Sequence, residues 1–248
     1  MTYCVGLLLK RGLVFMSDTR TNAGIDNISV VTKMRTWDVP GERCITLLSA
    51  GNLATTQSTI SLLDERAVAP AQRKSALLAQ PSMFQTAKLV GETLREVISY
   101  TAETGQEASG RFMGSFILGG QIAGGQPRLF MIYPEGNFIE AGPDNPFFQI
   151  GEHKYGRPIL VRTYDPDMPL EDAVKLLLVS FDSTIKSNLS VGLPIDVQVY
   201  ETDSLQAGFR QRFDDRDPYY RKISDGWSDA LKSAFESLPP FVPANPTA

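Results

Sequence analysis

At 248 residues, with 42% apolar and 21% charged side chains and a net charge of −4, the chain has the composition of an ordinary globular protein. It has no Lys/Arg-rich run of the kind a nucleic-acid surface needs, and no apolar stretch approaching the roughly 18 residues that span a bilayer. Lys10 and Arg11 interrupt the first apolar segment, which argues against a signal-peptide core, and Cys4 and Cys44 predict a reducing, cytoplasmic setting rather than a disulfide framework.

The start reads Met1-Thr2-Tyr3-Cys4. Aminopeptidases remove an initiator Met when the next side chain is small, so Thr2 is expected to carry a free α-amine beside its hydroxyl, a nucleophile with its own base. Tyr3 to Lys10 reads as a strand with Tyr3, Val5, Leu7 and Leu9 at alternate positions. Cys4 on that strand reads as a small buried apolar side chain rather than a nucleophile. Arg11-Gly12 predicts a turn, Leu13 to Met16 a second strand ending at Ser17-Asp18-Thr19-Arg20, and Ile28 to Trp37 a third strand containing Lys33. An antiparallel meander of that size could bring Thr2, Asp18 and Lys33 together; the alternative is that Asp18-Thr19-Arg20 is only a solvated turn and Lys33 an exposed strand position. A buried Lys33 would lower the pKa of the amine by like-charge repulsion and polarise the hydroxyl, and Asp18 would keep the Lys charged and oriented.

Farther along, Gly51 to Arg66 carries Leu53, Thr56, Ile60 and Leu63 at helical spacing. Ser82-Met83-Phe84-Gln85 matches a capping box, opening a helix with the apolar stripe Ala87, Val90, Leu94, Val97, Ile98. Strands are predicted near Phe112–Leu118, Leu129–Tyr133, Phe147–Ile150 and Ile195–Glu201, with Gly119-Gly120 and Gly124-Gly125 bracketing a hairpin loop. Glu152 and Lys154 around His153 suggest a polar helix start. Pro169-Leu170-Glu171-Asp172 opens another helix, with proline and acids in its first turn and an apolar face wide enough to pack on more than one side. Arg210 to Lys222 mixes both charge signs with Tyr219-Tyr220 and reads as a solvated loop or a subunit contact. A last helix spans about Asp225 to Leu238, and Pro239 to Ala248, with four prolines, reads as an exposed tail after a single domain of residues 1–238. This pattern specifies α+β with two sheets or one large one.

Other chemistries lack their residues. His153 is the only histidine, and no G-x-S-x-G elbow exists. One His and two separated Cys supply no usual zinc ligand set, no P-loop occurs, and no cofactor is expected.

Asp18-Thr19-Arg20, Lys33 fifteen positions after Asp18, and Ser49-Ala50-Gly51 resemble the catalytic segment of proteasome β-type subunits. Gly151-Glu152-His153-Lys154-Tyr155-Gly156-Arg157-Pro158, Ser180-Phe181-Asp182-Ser183-Thr184 and Ser187-Asn188-Leu189-Ser190-Val191-Gly192 are similar to the bacterial branch called Anbu. The resemblance runs from Thr2 to about Trp227. It implies the four-layer αββα sandwich of two antiparallel sheets that N-terminal nucleophile hydrolases share. It further implies Thr2 as nucleophile, its amine as base, Asp18 and Lys33 as the charge pair, and the Gly51 N–H as oxyanion donor. Arg20 would brace the Asp-bearing turn. Ser187 and Ser190 fall where other proteasome subunits carry an Asp and a Ser that order the amine end, and Glu152 falls where they carry a Ser. A carboxylate there would raise the pKa of the amine. The implied function is peptide or other amide hydrolysis in a ring-like or helical homo-oligomer. An assembled scaffold with a vestigial site, and a small-substrate amidase of the same fold, stand as alternatives.

Overall fold

A strand that is apolar on both faces must be covered on both, and this requirement organises the molecule. The structure, a computed structural model, describes residues 2–22, 28–67, 76–104 and 112–243. The first half contains β1 (Tyr3–Leu9), β2 (Gly12–Asp18), β3 (Arg20–Asn22), β4 (Ile28–Val30), β5 (Met34–Val39), β6 (Arg43–Gly51), α1 (Leu53–Ala67), a 3-10 turn (Leu77–Ala79) and α2 (Met83–Thr104). The second half contains β7 (Gly114–Ile122), β8 (Arg128–Ile132), β9 (Phe138–Glu140), β10 (Phe147–Gly151), α3 (Arg157–Thr163), α4 (Leu170–Ser187), β11 (Ile195–Glu201), β12 (Arg210–Phe213) and α5 (Pro218–Glu236).

Two five-stranded antiparallel sheets form, in the orders β10-β1-β2-β11-β12 and β5-β6-β7-β8-β9, with β3-β4 a separate hairpin. Side-chain alternation assigns the layers. On β1, Tyr3, Val5, Leu7 and Leu9 join Leu177, Phe181 and Val197 beneath the α3–α5 side, while Cys4 joins Phe15, Leu48, Ile117 and Phe148 between the sheets. On β6, Ile45 and Leu47 face Val90 and Leu94 of α2, while Cys44 and Leu48 face the first sheet. The expected αββα sandwich results, with its innermost core between the two sheets.

Several expectations need correction. The stretch Ile28 to Trp37 is two strands, not one, and Lys33 lies between them. The chain leaves the first sheet after β2 and enters the second at β5, so no three-stranded meander forms. Lys33 bridges that crossing: its carbonyl accepts the Ser49 N–H at 2.9 Å. Gly119 and Gly120 lie inside β7, not in the hairpin loop. The reason is space, since a Cβ on Gly119 would come within 2.6 Å of the Phe15 ring from the facing sheet. The Glu152–Lys154 stretch is not helical: a turn follows over residues 154–156, and α3 starts only at Arg157. Finally, Arg210 to Lys222 is not a loop: it holds β12 and the opening of α5. Pro218 occupies the first turn, and the Asp217 carboxylate accepts the Tyr219 and Tyr220 N–H groups at 2.9 Å each, so the helix begins seven residues before the expected Asp225. Ser82 does cap α2, accepting the Gln85 N–H at 3.2 Å.

Candidate active site

Thr2 stands at the head of β1, and Tyr3 fixes it there. The Tyr3 ring packs on Phe181 with centroids 4.3 Å apart, and its hydroxyl meets Ser180 Oγ and Gln149 Nε2 at 2.7 Å each. Burial pushes this phenol far above its ordinary value, so it stays neutral. With the side chain held on the helix side, the Tyr3 N–H donates to Asp18 Oδ1 at 2.9 Å.

Asp18 ends β2 and is fully buried; Lys33 is 5% exposed. Lys33 Nζ donates to Asp18 Oδ1 at 2.7 Å and to the Arg20 carbonyl at 2.6 Å. Burial pushes the Asp18 carboxyl up, and the Lys33 ammonium, the Tyr3 N–H and the Gly192 N–H pull against that push without cancelling it. Asp18 and Lys33 thus converge beside Thr2 as expected, but by a different route: Lys33 arrives from the crossing between the sheets. Arg20 donates to the Leu189 carbonyl at 2.9 Å and lies against Gly192, where a Cβ would sit 2.3 Å from the guanidinium carbon. It ties the turn after Asp18 to the loop after α4.

Thr2, Arg20, Thr21, Lys33, Ala50, Gly51 and Gln57 line one cleft of about 260 Å³. Larger grooves of about 610 and 640 Å³ lie elsewhere and contain none of these residues. Gly51 closes β6 at φ +111°, and a Cβ there would sit 2.4 Å from the Met113 carbonyl oxygen. Backbone amides alternate in direction along an antiparallel strand. The Ser49 N–H points to Lys33, so the Gly51 N–H points the same way, past the end of β5 and into the cleft.

Glu152 is buried, and its contacts are with neighbouring donors. Its backbone N–H donates to the Thr2 carbonyl at 2.6 Å. Its Oε1 accepts the His153 and Lys154 N–H groups at 2.9 Å each, and its Oε2 accepts Asn188 Nδ2 at 2.8 Å. Burial alone would raise this carboxyl; the Lys154 N–H, the Asn188 amide and the His153 N–H outweigh it and hold the group below its usual value. Ser187 is exposed and donates to the Ser183 carbonyl of its own helix at 2.8 Å. Ser190 contributes its N–H, which Asn188 Oδ1 accepts at 3.0 Å. Asn188, Tyr3 and Gly151 are the residues that reading the sequence missed. The available signal for Asn188 was an amide side chain just past a helix end, a position suited to bridging backbone groups.

His153 is exposed, its Nδ1 only 3.4 Å from the Gly151 carbonyl, and has no hydroxyl or thiol partner among the contacts of the described residues. Cys4 is fully buried, burial drives its thiol pKa far upward, and its Sγ reaches the Ser49 carbonyl at 3.5 Å. Among the described residues no group of three His, Cys, Asp or Glu is placed to hold a metal, and no helix is long and apolar enough to cross a membrane.

Gly151 has φ +81°, and a Cβ there would lie 2.0 Å from the Thr2 carbonyl oxygen. Gly151→Ala is expected to displace Thr2 and to cost about 1–3 kcal/mol from backbone strain alone. A melting temperature lowered by about 3–10 °C in scanning calorimetry is the corresponding readout; an unshifted transition would contradict the close approach.

Two antiparallel sheets between helical layers, with a Thr beside a buried Lys–Asp pair at the end of the central hairpin, define an N-terminal nucleophile hydrolase fold. Residues 2–200 match the family described as Proteasome subunit. The proteasome subunit beta 2 of Pyrobaculum calidifontis is 28% identical over 200 residues, covering 79% of this chain and 87% of its own. Among solved structures, a Gly-1 mutant of Anbu from Hyphomicrobium sp. strain MC1 is 50% identical with a TM-score of 0.91, over 98% of this chain and 100% of that one. Anbu, an ancestral beta-subunit, from Yersinia bercovieri is 48% identical with a TM-score of 0.90, over 97% and 99%. The helical assembly of the Anbu complex from Pseudomonas aeruginosa is 49% identical with a TM-score of 0.91, over 98% of both chains. The chain belongs to the proteasome subunit family, in its Anbu-type branch.

Proposed function

We propose that this chain is a threonine peptidase, or amide hydrolase, whose nucleophile is Thr2 once removal of Met1 frees its α-amine. The observation that carries the reading is the buried Lys33–Asp18 pair, 2.7 Å apart, whose Lys33 lines one cleft with Thr2. The neutral amine takes the hydroxyl proton, Oγ1 attacks the substrate carbonyl, and the oxyanion meets the Gly51 N–H. A preorganised donor of that kind is worth on the order of 3–4 kcal/mol in the transition state. The protonated amine then gives its proton to the leaving nitrogen, the C–N bond breaks, and an ester to Thr2 forms. Water, deprotonated by the amine, attacks that ester, the bond from the acyl carbon to Oγ1 breaks to release the carboxylic acid, and the protonated amine returns a proton to Oγ1. Lys33 holds down the pKa of the amine, and Asp18 orients Lys33. Residues 1–238 act as one domain, and no separate ATPase partner is assigned. The reported helical assembly of a relative 49% identical supports self-association of this chain into a homo-oligomer, ring-like or helical.

The mass of the intact protein purified from its native host should fall short of the encoded chain by one Met residue. A full-length mass would remove the amine from Thr2 and with it the mechanism. Turnover should rise with pH through the amine pKa, ordinarily about 7.7–8.0, because only the unprotonated amine accepts the hydroxyl proton. A profile flat across neutral pH would contradict the amine as base.

A further inference from the structure

The contacts around Glu152 form one continuous chain from the end of α4 to the nucleophile. Ser190 N–H donates to Asn188 Oδ1 at 3.0 Å, which fixes the orientation of that amide and points Nδ2 at Glu152. Asn188 Nδ2 donates to Glu152 Oε2 at 2.8 Å. Glu152 Oε1 closes the turn after β10 by accepting the two N–H groups that follow it, at 2.9 Å each. The Glu152 N–H, now fixed, donates to the Thr2 carbonyl at 2.6 Å.

We infer that Asn188 is a positioning residue that sets the place of Thr2 through Glu152, and that Glu152 acts mainly as a clamp rather than as a free charge beside the amine. The catalytic part of this inference rests on Thr2 being the nucleophile; the clamp itself does not. Both carboxylate oxygens are engaged by N–H donors, Oε1 by two and Oε2 by one, and these contacts fix the orientation of the side chain. Asn188 replaces, in function, the side chain expected of Ser187, which bonds its own helix instead. The orientation of Asn188 is not free to reverse, because reversal would abandon the Ser190 N–H.

The test uses Asn188→Asp, Glu152→Gln and the two together, in the full-length protein. In Asn188→Asp a carboxylate faces a carboxylate, the donor is lost, and the clamp opens. In the double variant the amide at 152 donates to the carboxylate at 188. Its remaining oxygen still accepts the His153 and Lys154 N–H groups, and the site keeps a single negative charge. Amide hydrogen exchange at Glu152 reads the clamp without any reference to chemistry. Labelling of Thr2 by a peptide epoxyketone reads its consequence, since a nucleophile misplaced by about 1 Å loses on the order of 100-fold in rate. Asn188→Asp should speed exchange at the Glu152 amide at least about tenfold, slow labelling by about 10–100-fold and move the labelling profile to higher pH. The double variant should recover most of both. Thermal melting verifies that each variant is folded, and the double variant keeps the test decisive if Asn188→Asp alone is not. Exchange at Glu152 that is unchanged in Asn188→Asp, or a double variant no better than the worse single one, overturns the inference. If epoxyketone fails to label even the unsubstituted protein, the Thr2 nucleophile is disproved, while exchange still decides the clamp.

Discussion

Thr2→Ala is expected to abolish both turnover and epoxyketone labelling, a loss of at least about a thousandfold, while the oligomer and the melting temperature stay close to those of the parent. The substitution removes one hydroxyl and one methyl from a half-buried residue, so little packing is lost. The contacts that place the residue are made by backbone groups: its carbonyl takes the Glu152 N–H, and the next N–H goes to Asp18. Alanine keeps both. Peptide or amide turnover that survives in Thr2→Ala would assign the chemistry elsewhere. If neither parent nor variant turns anything over, the scaffold alternative takes the place of the enzyme.

The second large effect is expected at Lys33. Lys33→Ala should end labelling of Thr2 and also destabilise the protein, because it leaves the fully buried Asp18 carboxylate without its counter-ion. Removing one partner of a buried pair costs about 3–5 kcal/mol. The pH dependence has a definite sign. A carboxyl whose folded pKa lies above its unfolded one binds a proton more tightly when folded, as the Asp18 carboxyl already does with the pair intact. The penalty in Lys33→Ala is therefore absent below the unfolded Asp value of about 3.9 and grows as pH rises through the raised folded value. Melting curves of parent and variant should lie closer together near pH 5 than at pH 8. Asp18→Asn combined with Lys33→Met removes both charges and should recover much of the stability without recovering labelling. Labelling that persists in that double variant would reduce the pair to a structural role.

The meeting of the candidate residues was legible where it depends on residue identity and spacing. Thr2, Lys33 and Gly51 line one cleft, and Asp18 bonds Lys33 because an antiparallel hairpin brings residues 4 and 17 opposite each other, setting Asp18 beside the start of β1. Periodicity could not reveal that the chain changes sheets between Val30 and Met34. A two-residue alternation looks the same whether a strand joins its sequence neighbour or crosses to another layer, and only packing against β6 decides. The glycines of β7 misled for a related reason: Gly next to Gly signals a turn locally, yet here the missing side chains make room for Phe15 from the opposite sheet. The opening of α5 was hidden by mixed charges, although Asp217-Pro218 is a clear helix start once the cap is seen. The Asn188–Glu152 contact joins residues 36 apart in sequence, and no local pattern encodes such a meeting.

β1 lies between β10 and β2 in the interior of its sheet, and the residue that heads it inherits that immobility. The first residues of most chains sample many positions, and a nucleophile carried on such a segment would reach its target in few of them. Here the loss of translational and rotational freedom is completed when the sheet forms, before any substrate arrives. Well-oriented groups held in this manner reach effective molarities of about 10⁵–10⁸ M. On the proposed mechanism, a hydroxyl as ordinary as that of threonine can then serve: the sheet provides by confinement what the side chain lacks in intrinsic reactivity.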